Sequence, residues 1–204
     1  MFYLLNMNEN VIVILAAGAS SRLEQPKQLL PYGDDFLLTH TIKEAQRSRM
    51  PVIVVLGANA NKIKQKIKTL ELEIVENESW EKGLSSSIKS GMQKAIDNYP
   101  EMMNCILAVC DQPFISSLLF NELLDEKQRS GKQIVASSYA ETSGTPCLFD
   151  KKYFPELLQL EGDHGAKTLL KKYASDVASV KFEKGRFDVD TQNDYEEFLK
   201  NQNQ

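Results

Sequence analysis

Residues 11–31 read VIVILAAGASSRLEQPKQLLP, an apolar run that opens into a loop of small residues. Val11 to Leu15 are five consecutive apolar residues, the pattern of a strand buried on both faces of a parallel sheet. The side chains of Ala16, Ala17, Gly18, Ala19, Ser20 and Ser21 are small enough to let backbone N–H groups approach phosphate oxygens. Arg22 and Lys27 then add cationic charge, and the combination suits a triphosphate. There is no GxxxxGK[ST], so Lys27 is not a P-loop lysine, and no GxGxxG, so a dinucleotide fold is unsupported. For LAAG taken alone, a plain strand-to-turn connection with two solvated charges is the alternative.

Beyond this stretch, strand patterns at 52–56, 72–75, 105–109, 133–137 and 177–182 alternate with helical patterns near 36–48, 59–69, 84–97, 116–129, 151–159 and 164–173. Strand and helix in turn predict an α/β fold: a three-layer, Rossmann-like arrangement with a mostly parallel sheet between helices. In the helix at 84–97, Leu84, Ile88, Met92 and Ala95 share one face and read as a core stripe. Ligands of such sheets sit beyond the carboxyl ends of the strands, so the loops after Leu15, Leu56, Val75 and Val109 should converge.

At 204 residues and 42% hydrophobic composition, the chain suits one domain spanning 1–204, with 1–10 and 201–204 expected to be flexible. A net charge of -4 argues against bulk attraction to nucleic acid or an anionic membrane, so an anionic substrate must be captured locally. Cys105, Cys110 and Cys147 form no CxxC pair and read as reduced core residues, with Cys105 and Cys110 on opposite faces of one strand. The start, MFYLLNMNEN, has neither the basic flank of a signal peptide nor the length of a membrane span, and the cytoplasm is the expected compartment.

Asp111 ends the run CILAVC and precedes Gln-Pro, which aims its carboxylate at the carboxyl edge of the sheet. A magnesium ligand belongs there, since Mg²⁺ takes few protein carboxylates and bridges to phosphate oxygens; a strand-stopping turn is the other reading. In DVDTQNDY (188–195), Asp188 and Asp190 share a side if the segment is extended, and Thr191 or Asn193 could cap a last helix at 194–200. Asn77 reads as a turn residue, and Ser85, Ser86 and Ser87 as helix-start residues. In EGDHGAKTLL (161–170), Gly162 gives a turn, Asp163 is a natural N-cap, and His164 sits in the first turn. His40 reads as a helix-surface residue, and Trp80, the only tryptophan, as a packing residue that could instead stack on a ring.

The signature loop, NESWEKGLSSSIKSGMQKA (77–95), AVCDQP (108–113), SGTPCLFD (143–150), EGDHGAKTLL and DVDTQNDY occur in an order that resembles the MobA-like nucleotidyltransferases, and within them the molybdenum cofactor cytidylyltransferases. One departure lies in the loop, where Glu24 stands in place of the family's usual Gly. The resemblance implies a magnesium-dependent transfer of CMP from CTP to the terminal phosphate of molybdenum-bearing molybdopterin. Lys27, Arg22 and Asp111 would be the catalytic residues, and Asp111 with Asp190 the metal ligands. Leu15 to Ser20, Arg22, Lys27, Asn77, Ser85 and Ser86 would bind the nucleotide, and Gly144, Thr145, Asp163, His164 and Gly165 the pterin. In this resemblance a small side chain at Ala17 tracks with pyrimidines and Gly with guanine. A xanthine dehydrogenase-type apo-enzyme would receive the product. The rival readings are guanylyl transfer to the same cofactor, cytidylyl transfer to another small phosphate, and a non-catalytic escort of the cofactor.

Overall fold

The apolar run that opens the chain becomes strand β1, Asn10–Ala16, with every residue buried. The computed structural model describes residues 9–163 and 165–202, with 201 and 202 as backbone only. After β1 come a two-stranded hairpin (β2, Pro31–Tyr32; β3, Asp35–Phe36), α1 (Leu37–Arg47), β4 (Val52–Leu56), α2 (Ala60–Ile67) and β5 (Glu73–Glu76). Then follow α3 (Leu84–Asn98), β6 (Asn104–Val109), α4 (Ser117–Ser130), β7 (Ile134–Tyr139) and β8 (Thr142–Asp150). The chain closes with α5 (Phe154–Leu158), α6 (Lys167–Lys172), β9 (Val177–Lys181) and α7 (Gln192–Gln202).

Seven strands form one sheet in the order β5-β4-β1-β6-β8-β7-β9. β1 lies between β4 and β6, parallel to both, with Ile14 opposite Val54 and Ala108. Because side chains alternate along a strand, Ile12, Ile14 and Ala16 pack against α1, α2 and α4 on one face. Val11, Val13 and Leu15 pack against α3, α5 and α6 on the other. The three expected layers follow from these two apolar clusters, and a third, with Leu30, Leu37, Val189 and Phe198, seats α7.

The sheet departs from the expected pattern at β8, which runs antiparallel between β6 and β7. Its sequence, TSGTPCLFD, interrupts its apolar residues with Gly144 and Pro146, so neither alternation nor a continuous apolar run marks it as a strand. A register shift at Ala136/Ser137 of β7 absorbs the irregularity, and Ser137 Oγ donates to the Pro146 carbonyl at 2.8 Å. The helix expected at 164–173 shortens to Lys167–Lys172, with no side-chain cap at its start, so Asp163 is not its N-cap. His164 lies outside the described residues, as do 1–8 and 203–204. The flexibility expected over 1–10 does not extend to Asn10, which opens β1, is 3% exposed, and pairs with Asn104 at 2.8 Å. All three cysteines are buried free thiols, with Cys105 and Cys110 in opposite clusters and burial pushing Cys110 up to about 12.

In the α3 stripe, Ile88, Met92 and Ala95 are core, but Leu84 is 39% exposed at the helix start, where it abuts Gly165. The helix approaches the sheet at Gly91, where a methyl group would collide with Val13 Cγ1 and come within 2.8 Å of Val55 Cγ2. Gly91→Ala therefore forces overpacking that helix propensity does not offset. The expected loss is about 1–3 kcal/mol, measured by denaturant unfolding.

Candidate active site

The loop after β1 is shaped by a residue the sequence reading passed over. Gln28, only 1% exposed, lies on a short 3₁₀ turn, Lys27–Leu29, and reaches back to donate from Nε2 to the carbonyls of Ala16 (2.8 Å) and Gly18 (3.0 Å). Lys27 N–H donates to Ser20 Oγ at 2.8 Å, and Ser20 adopts the left-handed region with φ 58. With those carbonyls turned inward, the N–H groups of Gly18 to Arg22 donate to no group among the described residues. A methyl group on Gly18 would meet nothing within 4 Å, so the loop faces open space. Glu24, exposed and without a positive φ, takes its place in the loop without needing the conformational freedom of glycine.

Below this loop Lys27 Nζ donates to Asp111 Oδ2 and Asp190 Oδ1, each at 2.7 Å. Arg22, more exposed, donates to Asp190 Oδ2 at 3.2 Å. The carboxylates come together because the Val189 N–H donates to the Asp111 carbonyl at 2.9 Å, with the Val189 side chain wholly buried beside them. The rest of DVDTQNDY starts α7: Thr191 N–H donates to Asp194 Oδ2 (2.7 Å) and Asp194 N–H to Thr191 Oγ1 (3.2 Å), a reciprocal cap. Burial is the largest single influence on the Lys27 ammonium and lowers its pKa, but Asp111 and the hydrogen bonds to both carboxylates outweigh it and hold the pKa above the ordinary value. Burial likewise favours protonated Asp190, yet Lys27 and Arg22 keep its pKa below the usual carboxylate value. The pair is ionised at neutral pH.

Asp188 behaves differently. Burial of its carboxyl, then repulsion from Asp111 and Asp190, raises its pKa from 3.8 to about 6. A carboxylate with a raised folded-state pKa costs stability above that pKa, and the cost fades as pH falls towards its unfolded value. Asp188→Asn should therefore stabilise the protein above pH 6 and be neutral below about pH 4. Although its carboxyl is shielded on one side, Asp188 as a whole is exposed, so solvent screening keeps the gain under about 1 kcal/mol, read from melting midpoints across pH.

A cavity of about 410 Å³ joins these parts, lined by Leu15 to Ala19, Lys27, Gln28, Trp80, Glu81, Gly83, Leu84, Ser87, Cys110, Asp111 and Asp163, among others. Thus the loops after β1, β5 and β6 converge at the carboxyl edge, while Gly57 after β4 packs behind them, too close to Ala17 and Trp80 to carry a side chain. Asn77, Ser85 and Ser86 are not among the lining residues. Asn77 Nδ2 donates to Ser86 Oγ (2.8 Å) and Ser87 Oγ (3.0 Å) while its Oδ1 accepts from Ser79 N–H, so it is a turn residue that braces the start of α3. Ser86 Oγ donates to the carbonyls of Gly83 and Ser79, and Ser85 is 3% exposed with its N–H on the Gly162 carbonyl. Ser87 is the serine at the cavity wall, a choice that depends on helix phase and so was hidden in a run of three.

On the acceptor side, Asp163 lines the cavity and Gly165 packs on Leu84 at its rim. Gly144 and Thr145 lie in β8 away from this lining. Gly144 faces the Tyr139 hydroxyl, which stands 3.5 Å from Gln112 Nε2. His40 is part-buried and stacked on Tyr32 at 4.0 Å between centroids. A larger hollow of about 840 Å³ opens near Arg49, Thr69, Leu70 and Tyr99, around the start of β4. The smaller cavity is the chemical one, because Lys27, Asp111 and the loop residues Gly18 and Ala19, whose amides are unpaired among the described residues, meet there.

Residues 12–177 match the MobA-like NTP transferase domain. The chain belongs to that family. The chain is 32% identical to nicotine blue oxidoreductase of Paenarthrobacter nicotinovorans, with 88% of this chain and 91% of that one covered. It is 29% identical to the purine catabolism protein PucB of Bacillus subtilis (90% and 93% covered) and 24% to the molybdenum cofactor cytidylyltransferase of Escherichia coli (90% and 92%). A probable molybdenum cofactor guanylyltransferase of Clostridium perfringens also matches at 24% (92% and 94%). Among solved structures, the Rv0371c homologue from Mycobacterium sp. strain JC1 superposes with TM-score 0.80 at 32% identity, covering 95% of this chain and 96% of that one. Rv0371c of Mycobacterium tuberculosis in complex with manganese superposes with TM-score 0.76 at 26% identity (94% and 98%). The protein is thus a member of a nucleotidyltransferase family that includes molybdenum cofactor cytidylyl- and guanylyltransferases. Among the described residues, no helix is long and apolar enough to cross a membrane.

Proposed function

We propose that this protein transfers a cytidylyl group from CTP to the terminal phosphate of molybdenum-bearing molybdopterin and releases pyrophosphate. The observation that carries this reading is the position of Lys27, held between Asp111 and Asp190 beside a loop of open amides at the edge of the cavity. An oxygen of the acceptor phosphate attacks the α-phosphorus, and the bond from that phosphorus to the bridging oxygen of the β-phosphate breaks. No strong base is required, because a phosphate monoester with a second pKa near ~6 is already ionised at neutral pH. Lys27 exchanges its carboxylate partners for α-phosphate oxygens, where charge accumulates, and Arg22 with the amides of Gly18 to Ser21 holds the departing β- and γ-phosphates.

The residues also suit a hard divalent cation. Asp111 and Asp190 offer carboxylate oxygens that already converge on one cation, the Lys27 ammonium, each at 2.7 Å. Among the described residues, no group of three or more His, Cys, Asp or Glu could hold an ion by itself, and Mg²⁺ generally takes few protein carboxylates and fills its shell with water and substrate oxygens. Held by Asp111 and Asp190, magnesium would supply positive charge to offset that of the phosphates. The manganese complex of the mycobacterial relative supports a divalent ion.

The family holds both cytidylyl- and guanylyltransferases, so base choice rests on Ala17, a cavity-lining residue whose methyl group lies against Gly57. Ala17→Gly should narrow the preference for CTP over GTP by about 1–3 kcal/mol, the usual worth of one methyl-sized change; competitive KM values measure it. A relative that acts in purine catabolism agrees with delivery of the product to a xanthine dehydrogenase-type apo-enzyme. The first test is thermal unfolding with CTP, GTP, ATP and UTP, each with and without magnesium. A ligand at 100 times its Kd stabilises by roughly 2.7 kcal/mol, so a shift confined to CTP with magnesium is the expected result. A larger GTP shift moves the assignment to guanylyl transfer, and no shift with any nucleotide favours an escort.

A further inference from the structure

We infer that Gln28 is a positioning residue whose side-chain amide holds the β1 loop open for polyphosphate. The inference rests on the triphosphate reading of that loop. A primary amide has two N–H donors, and Gln28 commits Nε2 to the carbonyls of Ala16 and Gly18, two residues apart. Both carbonyls are thereby held towards the protein, and the N–H groups of Gly18 to Arg22 are left without an acceptor among the described residues. The other end of the amide, Oε1, lies 3.5 Å from Ser20 Oγ, which also accepts from Lys27 N–H. One buried side chain therefore joins the strand end, the left-handed residue of the loop and the backbone of the lysine. Hydrophobic packing alone does not account for it, since a buried amide in an apolar setting is unfavourable unless its donors are used.

Arg22 and Lys27 attract polyphosphate by charge, but the amides bind it only if they stay convergent while the site is empty. Removing the strut frees the carbonyls of Ala16 and Gly18 to rotate into the cavity, where they would oppose an anion. The cost appears as lost affinity for the polyphosphate portion of the ligand.

The test uses the full chain and Gln28→Met, which keeps side-chain length and removes both donors. Calorimetric titration with magnesium tripolyphosphate should show a Kd at least about tenfold weaker than wild type. A role confined to packing lowers the melting midpoint and leaves the affinity of the folded fraction unchanged, and that result overturns the inference while leaving the triphosphate reading intact. If the wild-type protein itself binds no tripolyphosphate, the strut falls together with the reading beneath it. A second measurement does not depend on the variant folding: in wild-type NMR spectra the Gln28 Nε2 protons should exchange slowly with solvent, and tripolyphosphate should shift the amide signals of Gly18 to Arg22. Gln28 side-chain protons that exchange as fast as those of an exposed glutamine overturn the inference.

Discussion

Lys27→Ala should lower kcat by about 10²–10³-fold, the usual cost of removing one preorganised donor to developing transition-state charge, and change the Kd for nucleotide far less. The reason lies in the balance of forces on this lysine. Its charged form is held by Asp111 and Asp190 against burial, so the cation is in place before substrate arrives and needs no proton transfer. Arg22 and the loop amides still contact the polyphosphate in the variant, which keeps ground-state binding. Rapid-quench turnover alongside calorimetric titration separates the two quantities. An unchanged kcat would remove Lys27 from the chemistry.

Asp111→Asn is expected to have the second-largest effect, with kcat/KM falling about 10²-fold or more at limiting magnesium and recovering in part at high metal concentration. The substitution removes one of two carboxylates that suit the ion. It also leaves the largely buried Lys27 ammonium with Asp190 as its remaining carboxylate partner, so a stability loss of about 1–3 kcal/mol accompanies it. Magnesium titration of activity, paired with a melting curve, distinguishes the two consequences. A variant that loses stability yet keeps the wild-type metal dependence shows Asp111 to be only the partner of Lys27.

The sheet was legible wherever the chain spends a continuous apolar run on a strand buried on both faces, as in Val11 to Leu15 and Val52 to Leu56. It was not legible at β8, because an antiparallel strand containing Gly144 and Pro146 carries neither of the periodicities that reveal strands. Of the site, the residues that end strands were readable, since a polar residue closing an apolar run lies at the sheet edge. Asp111, just past the end of β6, is of this kind, whereas Lys27 stood out by its place in the small-residue loop and Asp190 by the likeness of DVDTQNDY to the family's motif. Two features depend on tertiary geometry and left no such mark. Gln28 looks like any polar residue of a loop, and only its 1% exposure shows that it is structural. The three serines at the start of α3 differ by helix phase, which a sequence pattern places to within a residue or two and no better.

Cytidylyl transfer is tested most directly by incubating the full chain with magnesium, molybdenum-bearing molybdopterin and either CTP or GTP, then measuring pyrophosphate and the dinucleotide product. Pyrophosphate released from CTP in step with the cytidine-containing pterin, and only when acceptor and metal are both present, is the expected result. Faster consumption of GTP, or no nucleotide consumed at all, contradicts it.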